Sequence, residues 1–154
     1  MIRLARIRRG RDGLYRLRLP DAERALLRGL PRQVLELVAA NDPSTRRLFP
    51  PAYLDDEEAE TEYRELMRDQ LLDHHRHALE IMDETLDADR LDEEQLLAWL
   101  SALNDLRLVL GTRLDVTEDM APPSPDDPNA PALQLYGYLT WLQATVIDLL
   151  AEPA

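Results

Sequence analysis

The sequence predicts a mainly α-helical fold, a bundle of four to five helices that carries a small N-terminal β-hairpin. Apolar residues recur at helical spacing through most of the 154 residues. Alternation with a period of two is confined to the N-terminal part of the chain, and prolines and glycines separate the helical stretches. We therefore expect a single domain, 1–154, with the hairpin at 2–19 and the bundle at 21–150.

The hairpin is predicted to have strands at 2–8 and 14–19. Over 15–19 the sequence YRLRL alternates apolar side chains with arginines, as a strand with one solvent-facing side does. Gly10 and Gly13 supply the positive-φ positions that a tight connection needs. Because an isolated two-stranded hairpin is only marginally stable in water, we expect it to pack on the helices.

The next segment predicts two short helices, at about 22–29 and 31–40. Asp21 is the expected N-cap, since its carboxylate can accept a hydrogen bond from an unpaired backbone N–H. Gly29 and Pro31 interrupt the helical pattern, because proline removes a backbone donor and glycine favours a left-handed helix stop.

A long helix is predicted at about 57–86, after the proline-aromatic loop. Six carboxylates stand between Asp55 and Glu62, where the positive end of the helix dipole favours negative charge. This acidic run is either a solvated helix start, which we favour, or a docking patch. The apolar stripe of the helix comprises Tyr63, Met67, Leu71, Ala78, Ile81 or Met82, and Leu86.

The fourth helix has the clearest punctuation. Asp92 and Gln95 have the spacing of a capping box, in which each residue's side chain bonds the other's backbone N–H. The helix is expected to run to about Leu110, with Gly111 as a left-handed stop.

The last helix is predicted to begin near Pro131 and to end at about Leu150. It follows residues 115–130, which hold four prolines and five acids. This composition predicts an exposed, mobile, acidic proline-rich linker.

All 18 basic residues are arginine, and the chain has neither lysine nor cysteine. These absences exclude lysine Schiff bases, a P-loop lysine, disulfides, and cysteine nucleophiles or metal ligands. Residues 1–32 carry a balance of +7, and the remaining residues carry −19. The basic segment can dock externally on phosphates or acids, or internally against the acidic remainder, which we favour.

The histidines of HHRH at 74–77 are the first place to look for a metal site. His74 and His77 lie three residues apart, with His74 expected inside the apolar stripe and His77 at its edge. A complete glutamate–x–x–histidine motif is missing, so a packed or solvent-edge role is favoured over metal ligation.

Nothing in the sequence forms a recognisable catalytic or cofactor-binding motif. The three serines, Ser44, Ser101 and Ser124, lack a glycine-flanked elbow, and the isolated glycines form no phosphate-cradling loop. We therefore assign no catalytic residue, cofactor or metal, and predict that the protein is not an enzyme. No apolar run approaches the roughly 20 residues of a membrane span, and a cytoplasmic location is expected.

Arg107 falls inside the leucine-rich face predicted for the fourth helix, about 40° from Leu103 on a helical wheel. A buried guanidinium must be paired, because it cannot lose its proton. Asp105 is expected on the opposite side of the helix, Asn104 at the edge of the stripe, and Glu23 on the apolar side of the first helix. A Glu23–Arg107 ion pair is one hypothesis; the favoured alternative leaves Glu23 exposed and lets Arg107 reach water.

Aromatic residues near the C-terminus could form a platform for nucleic-acid bases, but core packing is the favoured role of Tyr136, Tyr138 and Trp141. The aromatics of the proline loop either anchor a partner or cover the end of the bundle. The candidate interaction surface comprises Arg3, Arg6, Arg8, Arg16, Arg18, Phe49, Tyr53, Asp55 and Asp56.

Two long segments carry a resemblance to a known family: RRLFPPAYLDDEEAETEYREL at 46–66 and LNDLRLVLGTRL at 103–114. The chain resembles the actinobacterial family called domain of unknown function 2017 over nearly its whole length. The resemblance implies a small, cytoplasmic, mostly helical protein, often encoded near the Clp protease adaptor. Some members are described as oxidative-stress transcriptional regulators with a cysteine-pair switch, which this cysteine-free chain cannot contain.

The leading functional hypothesis is a non-enzymatic regulatory or adaptor protein that acts through protein–protein contacts, in transcriptional stress response or proteolysis control. The expected partner belongs to the transcription machinery or the Clp protease system, and homo-oligomerisation stays open. A DNA-binding regulator that uses the arginine-rich N-terminus is the first alternative. A metal-dependent enzyme or sensor through His74 and His77 is the second.

Overall fold

The computed structural model describes residues 5–50, 55–117, 120–121 and 124–153. Within them it confirms a mainly helical fold of five α-helices with a small antiparallel sheet. The strands are β1 Ile7–Arg9, β2 Tyr15–Leu17 and β3 Arg90–Leu91. The helices are α1 Asp21–Leu27, α2 Leu30–Ala39, α3 Glu57–Thr85, α4 Glu93–Leu114 and α5 Ala130–Ala151, with a 3₁₀ helix, Pro43–Leu48, between α2 and α3.

The sheet has the order β1–β2–β3 and is antiparallel throughout. Ile7 pairs with Leu17 and Tyr15 with Leu91, and all four side chains are buried against the helices. The hairpin is therefore confirmed, with shorter strands than predicted. The third strand was missed because two residues are too short to show a sequence period.

Helix α4 lies at the centre of the molecule, in contact with α2, α3, α5 and the 3₁₀ helix. It consequently buries two stripes instead of the single leucine face that was predicted. The second stripe consists of Ala98, Ala102, Asp105 and Val109. Asp105, expected on the side opposite the leucine face, is buried because the 3₁₀ helix and α3 cover that side.

The capping box that begins α4 is confirmed: Gln95 N donates to Asp92 Oδ1 at 2.7 Å, and Asp92 N donates to Gln95 Oε1 at 2.9 Å. The predicted stop at Gly111 was wrong, since α4 continues to Leu114 and ends on Asp115 with a φ of 54°. Gly111 is needed for space instead, because a Cβ there would lie 3.0 Å from the Tyr136 ring.

The other helix boundaries follow the sequence more closely. Gly29, with a φ of 83°, separates α1 from α2 as predicted. Asp21 is the first residue of α1 and makes no capping bond, so its predicted N-cap role was wrong. Pro131 lies in the first turn of α5. The mobility expected for 115–130 stays a prediction.

Helix α3 buries the C-terminal part of the predicted stripe. Ala78, Met82 and Leu86 are buried as predicted, Leu79 is buried in addition, and Leu86 is the residue that caps the helix. The first half, before Leu72, has Glu60 as its one buried residue. Of the predicted stripe, Tyr63, Met67 and Leu71 are half-buried and line a cavity.

Candidate functional site

The outer face of the sheet carries a row of three arginines. Arg8 lies opposite Arg16 in the β1–β2 register, and Arg16 lies opposite Arg90 in the β2–β3 register. Side chains alternate between the two faces of a strand, so the row is set by the burial of Ile7, Leu17 and Leu91. We call this surface the arginine face.

The arginine face extends beyond the row. Arg18 is exposed and, two residues after Arg16, points to the same side. A depression of about 420 Å³ beside it is lined by five arginines and one acid, Asp12. That acid lies 3.8 Å from Arg90. Within the described residues, the side chains of Arg8, Arg16 and Arg18 make no ion pair or hydrogen bond, so their charges face solvent.

A row of like charges lowers the stability of the folded sheet. Like charges directly opposite each other on neighbouring strands destabilise a sheet, by roughly 0.2–1 kcal/mol per pair. The row contains two such pairs, Arg8–Arg16 and Arg16–Arg90. An arrangement that weakens the sheet and remains open to solvent is suited to binding an anionic partner.

Other N-terminal arginines are used within the fold. Arg6 Nε donates to the Glu23 carboxylate at 2.8 Å, and its guanidinium lies 6.0 Å from the centre of the Trp141 ring. Arg9 donates to backbone carbonyls at the end of α5, including Pro153 O at 3.0 Å. A cation at a helix C-terminus is favoured by the helix dipole. Some arginines of the basic segment therefore bind groups within the fold, and others leave their charge open to an external anion.

Arg24 makes the most extensive internal contacts, and the sequence reasoning missed it. Its guanidinium donates to Leu17 O at 3.2 Å, to Leu19 O at 3.1 Å, to Leu86 O, and to Ala88 O at 3.4 Å. These carbonyls belong to β2, the link between β2 and α1, and the connection from α3 to β3. Arg24 therefore joins the sheet to the bundle through carbonyls, with no ion pair to a carboxylate among the described residues.

The hypothesis of a Glu23–Arg107 pair is wrong, because Glu23 accepts hydrogen bonds from Arg6 instead, and the favoured alternative of an exposed Glu23 is wrong because this residue is half-buried. The Nε of Arg107 is buried and makes no hydrogen bond within the described residues. Asn104 Oδ1 accepts from Gln143 Nε2 at 3.3 Å, across α4 and α5. The three residues of the predicted ion-pair site are therefore not brought together.

Glu23 also influences Tyr138. The pKa of Tyr138 is raised well above its ordinary value, chiefly by burial and then by the neighbouring Glu23 carboxylate. Tyr138 is half-buried, and Trp141 is 46% exposed. The two rings lie 6.0 Å apart.

The histidine that faces the core is His75, which the sequence reasoning passed over. Its Nδ1 lies 2.8 Å from Asp105 Oδ2, and its Nε2 lies 2.9 Å from Leu48 O. A carboxylate and a carbonyl are both acceptors, so the ring needs hydrogens on both nitrogens, or the shared proton must reside on Asp105. The sequence did carry a signal for this contact: Ala98, Ala102 and Val109 share a helical face with Asp105, which indicates that this face packs against another element.

Burial lowers the pKa of His75, but the hydrogen bond and charge of Asp105, with the Leu48 carbonyl, outweigh it, and the His75 pKa is raised. Burial raises the pKa of Asp105 despite the opposing effect of His75. The pair therefore holds its shared proton more tightly than the two isolated groups would. It joins α3, α4 and the 3₁₀ helix.

The two histidines predicted as possible ligands are both exposed. His74 was expected in the apolar stripe, which was wrong; its Nε2 lies 3.1 Å from Ser101 Oγ. No group of three or more histidine or carboxylate side chains that could hold a metal ion occurs in the described part of the chain.

The remaining residues of the predicted interaction surface are separated. Phe49 meets the edge of His75, with ring centres 5.4 Å apart, and thus covers the end of the bundle. Asp55 and Asp56 are exposed, and Asp56 caps α3 through Ala59 N at 3.1 Å. Arg3 and Tyr53 lie outside the described residues.

Comparison with known proteins identifies a family and no function. The model of a family described as "Domain of unknown function (DUF2017)" matches residues 3–150. Searches of curated proteins and of solved structures returned no match. None of the helices among the described residues combines the length and apolar character needed to cross a membrane.

Proposed function

The chain belongs to the family described as Domain of unknown function (DUF2017), and from its surface we propose that it is a non-enzymatic regulatory or adaptor protein. It acts by binding an acidic segment of a partner protein through the arginine face. The observation that carries this proposal is the cross-strand row Arg8–Arg16–Arg90. The partner's carboxylates supply counter-charges to Arg8 and Arg16, which pair with no described acid, whereas Arg90 lies 3.8 Å from Asp12.

An acidic protein segment suits this surface better than DNA does. The row crosses three strands, roughly 10 Å at the usual strand spacing, which matches a few residues of an extended peptide. The whole chain has a net charge of −12, which repels a long polyanion at a distance. No helix of the described chain presents a comparable arginine row to a DNA groove.

We propose, from the family resemblance, that the partner belongs to the transcription machinery or to the Clp protease system. The resemblance also implies that some members switch through a cysteine pair. The present chain has no cysteine, so its activity does not depend on thiol oxidation. Its binding is set by charge complementarity, which makes it sensitive to salt.

The test is a differential purification at native salt from nuclease-treated extract of the source cell. Three baits are compared: wild type, the face variant R8Q/R16Q/R18Q, and the control R28Q/R32Q/R76Q. The control removes the same charge from exposed arginines that pair with Asp87, Asp83 and Asp73. A partner is expected on wild type and control but not on the face variant.

The retained protein should also carry an acidic segment whose synthetic peptide competes for the bait. Equal retention by all three baits would refute the arginine face as the binding surface. Loss of all retained material on nuclease treatment, with tight binding of a DNA duplex at physiological salt, would favour the DNA-binding alternative instead.

A further inference from the structure

The 3₁₀ helix and the first half of α3 line an open-sided cavity of about 600 Å³ that shares no described lining residue with the depression at the arginine face. This volume lies within the range of small-ligand sites. One wall comes from residues 41–50 and the other from residues 63–71. The cavity explains why the first half of α3 leaves its apolar side chains only half-buried.

Four of the 18 arginines line this cavity: Arg46 and Arg47 on the 3₁₀ helix, and Arg64 and Arg68 on α3. The α3 arginines have internal partners, since Arg64 Nε lies 3.0 Å from Glu60 Oε1 and Arg68 donates to Asn41 Oδ1 at 3.2 Å. Arg46 and Arg47 make no ion pair or side-chain hydrogen bond with any described residue.

The acid in the cavity wall is already engaged. Asp42 caps the 3₁₀ helix, and its Oδ1 accepts from Ser44 N at 2.9 Å and from the Ser44 hydroxyl. Asp42 is the one acid among the described lining residues, against four arginines of which Arg64 is paired with Glu60, so the lining is cationic within a chain of net charge −12. The unused donors of Arg46 and Arg47 are therefore open to an anion.

Apart from Asn41 and Thr45, the other described residues of the lining are aromatic, apolar or proline. Phe49, Tyr63, Met67 and Leu71 contribute side chains, and Arg68 lies 5.6 Å from the centre of the Phe49 ring. The wall that carries Arg46 and Arg47 is held in place by the contact between His75 and the Leu48 carbonyl. This contact fixes the backbone of the wall, and the exposed side chains of Arg46 and Arg47 extend from it.

We propose that this cavity binds a small organic anion, with a phosphate or carboxylate group held by Arg46 and Arg47 and an aromatic or apolar body packed against Phe49 and Met67. The positive charge of the lining favours an anionic head group. The cavity volume of about 600 Å³ fits a small molecule and not a folded protein. The site is separate from the arginine face, so a small ligand in the cavity and a partner protein on the arginine face can be bound at the same time.

Calorimetric titration with simple probes tests the site. Phenyl phosphate and benzoate carry both features, inorganic phosphate lacks the ring, and phenol lacks the charge. We expect saturable binding of phenyl phosphate or benzoate that is tighter than binding of inorganic phosphate and of phenol. The stronger of the two ring-bearing probes identifies the head group.

The variant R46Q/R47Q should bind that probe at least about tenfold more weakly, because charge-assisted hydrogen bonds are lost. Both side chains are exposed, so the fold should be unchanged by circular dichroism. R28Q/R32Q removes the same charge outside the cavity and should bind like wild type, as should the face variant R8Q/R16Q/R18Q.

A Phe49→Leu variant should lose the preference for ring-bearing probes while still binding inorganic phosphate. The proposal is overturned if no probe saturates, if R46Q/R47Q binds like wild type, or if R28Q/R32Q is weakened equally. A short polyglutamate peptide that binds more tightly than every small probe and competes with them would assign the cavity to a protein segment instead.

Discussion

Where the sheet meets the helices, Arg24 donates to four backbone carbonyls, whereas on the outer side of the same sheet Arg8, Arg16 and Arg90 stand side by side. The two regions use one residue type for opposite purposes. The inner guanidinium replaces water with fixed acceptors and so stabilises the fold. The outer row raises the free energy of the fold and is available for binding. The number of arginines therefore does not show whether they stabilise the fold or bind a partner, until it is known whether each side chain points into the fold or to solvent.

Removing Arg24 should have the largest effect on this contrast. Arg24→Ala is expected to lower the free energy of unfolding by about 3 kcal/mol, since each hydrogen bond to a charged group contributes roughly 1.5–3 kcal/mol and the four act together. Urea unfolding measures the change. Arg28→Ala, which removes an exposed ion pair with Asp87, should change it by less than about 1 kcal/mol. Equal losses of unfolding free energy in the two variants would show that Arg24 contributes no more to stability than an exposed arginine.

The second prediction extends the contrast to the buried pair His75–Asp105. Both groups bind protons more tightly in the folded state, since both pKa values are raised. Stability from His75 is therefore fully present below its ordinary pKa of about 6.5 and is lost as the pH rises through the raised folded value. The Asp105 pKa is also raised, so the stability that Asp105 contributes likewise falls as the pH rises above the ordinary pKa of an aspartate. Between about pH 6 and pH 8.5 the wild type should lose stability.

Asp105→Asn provides the comparison, because the carboxylate that raises the His75 pKa is removed, while burial still lowers this pKa against the Leu48 carbonyl alone. The pH slope of the variant should vanish or reverse, and at pH 6 the variant should be less stable by about 1–3 kcal/mol. The exposed His74 and His77 are common to both proteins, so the difference reports the buried pair. Identical slopes from urea unfolding at several pH values would contradict the proposed proton sharing.

The smallest effect is expected on the outer side of the sheet. Arg16→Thr removes the central charge of the row and places a strand-favouring residue there, so the free energy of unfolding should rise by about 0.5 kcal/mol. Thermal unfolding at low salt measures the gain, which should shrink as salt screens the row. A loss above 1 kcal/mol would place Arg16 among the structural arginines and weaken the contrast.

Elements with local signals were predicted well. The Asp92–Gln95 capping box, the break at Gly29 and the proline in the first turn of α5 all depend on residues within about four positions of one another. Gly111 shows the limit of such signals. A glycine near a helix end resembles a stop, but here it makes room for the Tyr136 ring of another helix.

The candidate sites divide in the same way. The alternation that turns Arg8, Arg16 and Arg18 outward is visible in the sequence, because a strand has a period of two. The completion of the row by Arg90 is not, since β3 pairs with β2 across more than 70 residues. Nor is the cavity between the 3₁₀ helix and α3, which arises from the packing of two separate segments.

The sequence by itself determined the helical class, the hairpin, the absence of lysine and cysteine chemistry, and the polarity of charge along the chain. The tertiary structure alone decided that Glu23 meets Arg6 instead of Arg107, that His75 faces Asp105, and that Arg24 binds carbonyls. The physical reason is that helix and strand periods and caps are fixed by neighbours along the chain. The partner of a charged side chain is fixed by which elements pack together, and the central position of α4 buries the Asp105 side of that helix as well as its leucine face.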